Sequence, residues 1–360
     1  MKTIIIGAGV AGLSIGWKLA QAGVDVLILE RAQPARAATW AAAGMIAPTA
    51  ESAHANADET KFARWSAELW PDFASQVEAQ SGQRIGYKRD GALIVAATGE
   101  DARDLRTRSN KVLLTADEAR AREPLLSGTV AGALWDGDEA QVDNRALGAA
   151  LAKAFVRAGG KLSPNEAAVR IETEGGYRAV RTPFRLYYGD KVLIAAGAWS
   201  GEIEIDTPVL PPPRPVKGEL LALVPPPNTA LPRQVVWGNG VYLVPREDRL
   251  LIGATMREAG FDTAVTKEAE TWLLDRAVAL MPSLASWTLN EHWAGLRPGS
   301  PDDLPILGET QLENLFVATG QFRNGILFAP AIAETVSRLI LGFAAPEIRS
   351  FTPQRFAEVP

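Results

Sequence analysis

The rhythm of apolar positions changes along this chain, and each change predicts a different kind of structure. Near the start, Ile4, Ile5 and Ile6 form an unbroken β-branched run, the composition of a parallel strand covered on both faces. A helical pattern follows through Leu13, Trp17 and Leu19 to Ala20, with Gly23 placed to end it. A second strand-like run covers 24–29 and stops at Glu30. Residues 62–80 have helical spacing, with Phe62, Trp65, Leu69 and Phe73 on one face. Residues 92–97 and 131–135 read as short strands, and 111–123 as a connection with a short helix at 116–121. Asp143 is placed to cap a helix running to Arg157, which Gly159 and Gly160 terminate. Residues 192–199 read as a buried strand returning to the first sheet.

The rhythm then shifts to alternation. After a proline-rich stretch at 208–215, which reads as a semi-rigid crossing between domains, residues 216–223, 234–237, 241–245 and 250–254 alternate like antiparallel strands. An amphipathic helix at 267–280 and a strand at 289–297 follow. A strand at 315–320, a turn at 321–325 and a helix at 326–341 return to the opening style. The pattern predicts an α/β protein: a discontinuous Rossmann-like nucleotide-binding domain joined to an α+β domain on an antiparallel sheet.

Gly7, Gly9 and Gly12 give this chemical content. Gly7 permits the sharp turn, Gly9 lets backbone approach a pyrophosphate, and Gly12 lets the helix pack on the strand. The helix start offers free N–H groups to phosphates. Glu30 lies 18 residues after Gly12, about where an acid accepts hydrogen bonds from a ribose. The alanine-rich stretch from Ala38 to Pro48 leaves two readings open: a run of good helix formers, or backbone lying against a flat ring.

Composition narrows the function. With 47% apolar and 22% charged residues and a net charge of −5, the chain is ordinary globular protein without the basic surface that nucleic acid requires. It has no cysteine, which excludes disulfides, thiolate metal sites and a cysteinyl link to a cofactor. Its two histidines, His54 and His292, read as structural or solvent-facing. No leader and no membrane-spanning run is evident, so a cytoplasmic enzyme is expected. A homo-oligomer is compatible with the chain, but no stretch identifies an interface.

These residues resemble the flavin-dependent D-amino-acid oxidase superfamily, and within it the glycine oxidase branch linked to thiamine biosynthesis. Three blocks carry the likeness. They are Gly7 to Gly12 with Glu30; Ala38-Thr39-Trp40-Ala41-Ala42-Ala43-Gly44-Met45-Ile46-Ala47-Pro48; and Trp293 to Pro298 with Asp303 to Gly308 and Ala318 to Leu327. Weaker echoes lie at Pro215 to Glu219 and Val241 to Arg246. The resemblance implies an FAD-binding domain at 1–80, 140–208 and 293–345, a substrate domain at 81–139 and 209–292, and a C-terminal extension at 346–360. It implies non-covalent FAD, and oxidation of glycine to iminoacetate with molecular oxygen reduced to hydrogen peroxide, feeding thiazole synthesis. D-Amino acids, sarcosine and D-proline remain open as substrates, and a carrier in place of oxygen as acceptor. In this reading Arg297 holds the substrate carboxylate, Tyr242 assists, Arg323 sits close by and Met256 lines the pocket. Gly44, Met45, Gly325, Ile326 and Leu327 lie along the flavin ring, with a helix from Gly325 offering N–H groups to it. Gly7, Gly9, Val10, Ala11, Gly12, Glu30, Arg31, Thr39, Ala42, Ala43, Val169, Gly197 and Asn324 complete the cofactor contacts, joined by Arg297 and Arg323.

Each side chain also has a plain reading. Arg297 could pair with Asp302 or Asp303, Tyr242 could be half-buried packing, and Arg323 could cap a turn. Two positions depart from the pattern: Gln321 stands where relatives often have His, and Asn144 where Pro often follows Val-Asp. Other function classes are an NAD-dependent dehydrogenase and a flavin-binding subunit without turnover. A yellow protein argues against the first, and bleaching by an amine against the second.

Overall fold

The computed structural model describes residues 1–51, 55–108, 111–174, 177–205, 211 and 213–356. Its first sheet has six strands in the order Ile306–Glu309, Leu315–Thr319, Lys191–Ile194, Lys2–Ile6, Asp25–Glu30, Lys161–Pro164. All neighbours are parallel except the edge strand Ile306–Glu309. Strand alternation sends Ile5 into a core shared with the helices Val10–Gln21, Ala57–Ser81, Asn144–Arg157 and Ala329–Ile340. Ile4 and Ile6 face the other way, toward Ile171 and Val180 of a small meander. Ile4 and Ile5 are fully buried, and burial of each such side chain stabilises the fold by roughly 1.5–3 kcal/mol.

The second large sheet has nine strands, with Arg214–Val224 and Thr288–Gly299 paired antiparallel along their length. On Arg214–Val224, Leu221 and Leu223 pack with helix Lys267–Leu280, while Leu220 and Ala222 face Ala41 and Ala43. One sheet face is therefore sealed by a helix. The other roofs the nucleotide-type domain.

Most expected elements are present, with informative differences. The expected strand at 192–199 ends at Ile194, and Gly197 (φ +57°) opens a 3₁₀ turn, Gly197–Glu202. The chain passes close to Gly7 there: a Cβ on Gly7 would lie 2.4 Å from the Ala195 carbonyl oxygen. The helix expected from 326 begins at Ala329, with Pro330 in its first turn, and a hydrogen-bonded turn precedes it (Phe328 N–H to Asn324 O, 2.8 Å). The connection at 111–123 contains a strand, Val112–Thr115, before its short helix. The meander Arg170–Glu174, Tyr177–Arg181 and Leu186–Gly189 had no counterpart in the pattern of the sequence. His54, and 208–210 and 212 of the proline-rich crossing, lie outside the described residues.

Candidate active site

One long cavity runs from the glycine-rich turn, past the alanine-rich block, to the nine-stranded sheet. At its first end Gly7, Gly9, Val10 and Ala11 line the wall. The first N–H groups of helix Val10–Gln21 have no intrahelical acceptor. Thr39 Oγ1 accepts from Val10 N–H (2.9 Å), leaving those of the next residues for a ligand. A Cβ on Gly9 would meet only Thr39 Oγ1 within 4 Å, so the space beside this helix start is open. Gly12, expected at the cofactor, does not line the cavity. A Cβ there would lie 2.0 Å from Gly7 O, so the close packing of helix on turn requires glycine at this position. Glu30 accepts from Ala8 N–H (2.8 Å) and Ala32 N–H (2.9 Å), pinning the turn while lining the cavity. The Arg31 guanidinium stacks on Trp199, 3.5 Å from its ring centre, and both line this end with Val169 and Gly197.

The middle wall is backbone. The alanine-rich block is helical only over Ala38–Ala41, so the run of helix formers is a helix for four residues and the rest of the block is non-helical backbone beside the cavity. Gly44 has φ +74°, and a Cβ there would sit 2.0 Å from Val142 O. Arg246, largely buried with its pKa pushed down to about 10 by desolvation, donates to the carbonyls of Ala43 and Val142 and to Gln141 Oε1. Asn144 Nδ2 donates to Thr39 O (2.8 Å) and Trp40 O (2.9 Å). Asn144, where relatives often have proline, is thus a tie that proline could not supply. Thr39, Ala42, Ala43, Gly44 and Met45 all face the cavity. Opposite them stand Asn324, Gly325, Ile326 and Leu327. They belong to the turn before the helix, not to the helix itself. Leu327 O accepts from Ser66 Oγ (2.7 Å) and Trp70 Nε1 (3.0 Å), which fixes that turn. Two buried atoms here, Gln321 Nε2 and Asn324 Oδ1, have no hydrogen-bond partner among the described residues. Exposed N–H groups at one end and unpartnered amide atoms along the wall fit a flavin dinucleotide.

Arg297 marks the far end. Its Nη1 donates to Thr255 O (3.2 Å), and its guanidinium lies over Gly218, where a Cβ would come within 2.2 Å. It pairs with neither nearby carboxylate: Asp302 is taken by Arg355 and Asp303 by Arg214. Burial holds the Arg297 pKa below its ordinary value, against the pull of Tyr242. The Tyr242 hydroxyl is pushed above its ordinary value by burial, against the pull of Arg297. Its ring meets Trp237 edge-on at 5.3 Å, and lies where a side chain at Gly253 would collide. Tyr242 is therefore packing and cavity wall at once. Arg323 also lines this end and is held by Glu51 at 2.8 Å.

Met256 is the clear correction. It is 60% exposed and outside the cavity. Its neighbour Thr255 is buried instead, with Oγ1 accepting from Glu219 N–H (2.9 Å), in the connection between strands Leu250–Gly253 and Arg257–Glu258. His292 is structural, bonded to Glu219 (3.1 Å), and does not line the cavity. Sequence reasoning missed Glu51, Trp199 and Gly218. The Lys217-Gly218-Glu219 echo was a signal for the last, whereas nothing in the sequence marked Glu51 among its neighbours.

Comparison with known proteins agrees with this geometry. Residues 2–339 match the family described as FAD dependent oxidoreductase. The bifunctional protein ThiO/ThiG of Synechocystis sp. is 36% identical over 98% of this chain and 54% of its own length. The chain thus spans about half the length of the bifunctional relatives it matches. A glycine oxidase of Pseudomonas aeruginosa is 32% identical over 95% of each chain. The crystal structure of glycine oxidase from Geobacillus kaustophilus superposes with a TM-score of 0.93, at 32% identity over 98% of each chain.

Proposed function

We propose, from the premise that the chain belongs to the FAD-dependent oxidoreductase family and is an FAD-dependent oxidase, that it oxidises a small amino acid, glycine first. The single observation that carries the substrate class is Arg297. It is a guanidinium lining the far end of the cavity, paired with neither nearby carboxylate and set beside the Tyr242 hydroxyl. Guanidinium grips a carboxylate through two parallel hydrogen bonds, and a hydroxyl fixes rotation about that axis. Fixing the substrate this way turns binding into proximity, worth on the order of several kcal/mol of barrier. Bound FAD supplies the two-electron acceptor. The cavity side chains are left with orientation, since no histidine lines it among the described residues and a glycine arriving as the neutral amine needs no base from the chain.

Balanced, the reaction is glycine plus oxygen to iminoacetate plus hydrogen peroxide, a product suited to thiazole formation. FAD is held without a covalent bond, by the cavity residues from Gly7 to Leu327 named above. The cofactor-binding part comprises 1–80, 140–208 and 293–345, the substrate part 81–139 and 209–292, and 346–360 forms an extension. The strand Thr288–Gly299 straddles that division, pairing with Arg214–Val224 while delivering Arg297 to the cavity. A cytoplasmic site of action is part of this proposal; among the described residues no helix is long and apolar enough to cross a membrane.

The test is an anaerobic titration of the yellow protein with glycine, sarcosine, D-alanine and D-proline. Glycine bleaches the flavin band at the lowest concentration, and air restores it with release of peroxide. Bleaching by another amine alone would reassign the substrate, and recovery without peroxide would reassign the acceptor.

A further inference from the structure

The cavity brings two guanidinium groups to its substrate end, and they are treated differently. Arg297 keeps company with a carbonyl and a phenol. Arg323 meets a carboxylate, Glu51, at 2.8 Å. Glu51 is well shielded, with 10% of its side chain exposed, and it lines the same cavity. Its backbone is anchored from behind. Thr49 N–H and Ala50 N–H both donate to Oε1 of the buried Glu139 (2.9 and 2.7 Å), and Thr49 Oγ1 donates to Asp136 Oδ2 (2.6 Å). The ion pair is therefore built into the fold rather than formed by two loose side chains. Its two charges also oppose each other at the site: Glu51 and Arg323 push the ionisation of Tyr242 in opposite senses, and that of Arg297 likewise.

We infer that Glu51 is a specificity-determining residue: by neutralising Arg323 it leaves Arg297 as the uncompensated cation of the substrate end among the described residues, and so restricts the site to amines bearing one carboxylate. This deepens the amino-acid oxidase reading and rests on it. A ligand with a second carboxylate would find Arg323 already occupied and would face the Glu51 charge in a shielded setting, where like charges repel strongly. Removing the Glu51 charge frees a second guanidinium and opens the site to dicarboxylates.

The experiment uses the oxidised holoenzyme and inert ligands. Acetate and malonate are titrated separately, with binding followed as a change in the flavin absorption envelope, for the native protein, Glu51→Gln, Arg323→Gln and the double variant. In Glu51→Gln the ratio of malonate to acetate affinity rises at least fivefold over the native ratio, and the double variant returns to within twofold of native. Arg323→Gln, which leaves Glu51 uncompensated, shifts the ratio the other way. A smaller rise in Glu51→Gln, or one that survives in the double variant, overturns the inference. If Glu51→Gln does not fold, the Arg323→Gln shift decides alone: no movement against malonate overturns the inference. Failure of the amino-acid oxidase reading is seen separately, as a native flavin that no amino acid bleaches.

Discussion

The two ends of the cavity are built by opposite means. The glycine-rich end is local: Gly7, Gly9, Val10 and Ala11 are near neighbours, and what they offer a ligand is backbone. The substrate end is assembled from far-apart positions, 51, 242, 297 and 323, and what it offers is side chains. Backbone amides survive every substitution except one to proline, and they do not titrate. Side chains can be exchanged one at a time. The first end is thus a fixed clamp for a common ligand, and the second a place where selectivity is set. That contrast predicts that damage at one end stops binding of the cofactor, whereas damage at the other retunes it toward different substrates.

The severest test is at Gly12. A Cβ there would overlap Gly7 O, and neither backbone can withdraw without undoing the turn. Gly12→Val is expected to cost about 4 kcal/mol or more. The variant should purify colourless and fail to take up added FAD, as read by flavin fluorescence and thermal melting. A yellow variant with native Tm would show that this turn is more plastic than its packing implies.

Arg297→Ala is the counterpart at the other end. Loss of a desolvated charged contact typically costs 2–5 kcal/mol, so KM for glycine should rise on the order of 10²–10³-fold. FAD occupancy should be unchanged, because the glycine-rich end is untouched. Colour with lost affinity is the signature that separates the two ends, and steady-state kinetics on flavin-saturated protein reads it.

Titration offers a gentler probe of the end made of side chains. Glu139, which holds the Glu51 segment, has its pKa raised to about 8, chiefly by burial and further by Asp136 and Glu51, against the Ala50 and Thr49 N–H groups. The folded state then keeps a proton that the unfolded chain releases above its ordinary carboxylate pKa. Stability must fall as pH rises between about 4.5 and 8, and level off above that. A tenfold change in proton affinity corresponds to about 1.4 kcal/mol, so a shift of this size corresponds to a loss on the order of 5 kcal/mol. Glu139→Gln cannot titrate and should flatten the curve of Tm against pH over this window, while FAD affinity changes little. Parallel curves for the two proteins would mean that Glu139 ionises in the fold as it does in the unfolded chain.

The same contrast explains what could be read from the sequence. The strand, turn and helix of the first end follow from side-chain period and glycine spacing, because strand Lys2–Ile6, helix Val10–Gln21 and strand Asp25–Glu30 follow one another directly; the approach of Gly7 to Ala195 and the stacking of Arg31 on Trp199 are long-range and left no such signal. Strands 214–224 and 288–299 were recognisable by alternation, but their pairing, and hence the placing of Arg297 over Gly218, is a long-range fact. Tyr242, Arg297 and Arg323 were singled out only through resemblance; taken singly, each had a plain structural reading. Met256 was misplaced because residues 254–256 form a connection between two strands, where no side-chain period says which way a residue faces. The helix start at Ala329 was put too early because a hydrogen-bonded turn continues it backward with the same apolar spacing. Glu51 carried no signal at all, since an ion pair across 272 positions leaves no periodicity.

Tyr242→Phe gives the smallest expected change and the finest division of labour within the substrate end. The ring has a packing role that Phe preserves: the edge contact with Trp237 and the place beside Gly253. Only the hydroxyl is lost. A hydrogen bond to a charged group contributes about 1.5–3 kcal/mol, and water admitted to the vacated position recovers part of that. KM for glycine should therefore rise roughly tenfold, with Tm and flavin content held. Because burial raises the Tyr242 pKa above its ordinary value, the hydroxyl stays protonated through the neutral and mildly alkaline range. The pH profile of KM should thus show no break from this group below pH 10, and the native and Phe profiles should run parallel there. A tenfold rise with parallel profiles would assign Tyr242 a hydrogen bond to the carboxylate already gripped by Arg297. A collapse in kcat at unchanged KM would instead give the hydroxyl a part in the reaction itself, and the substrate end would no longer be a matter of orientation alone.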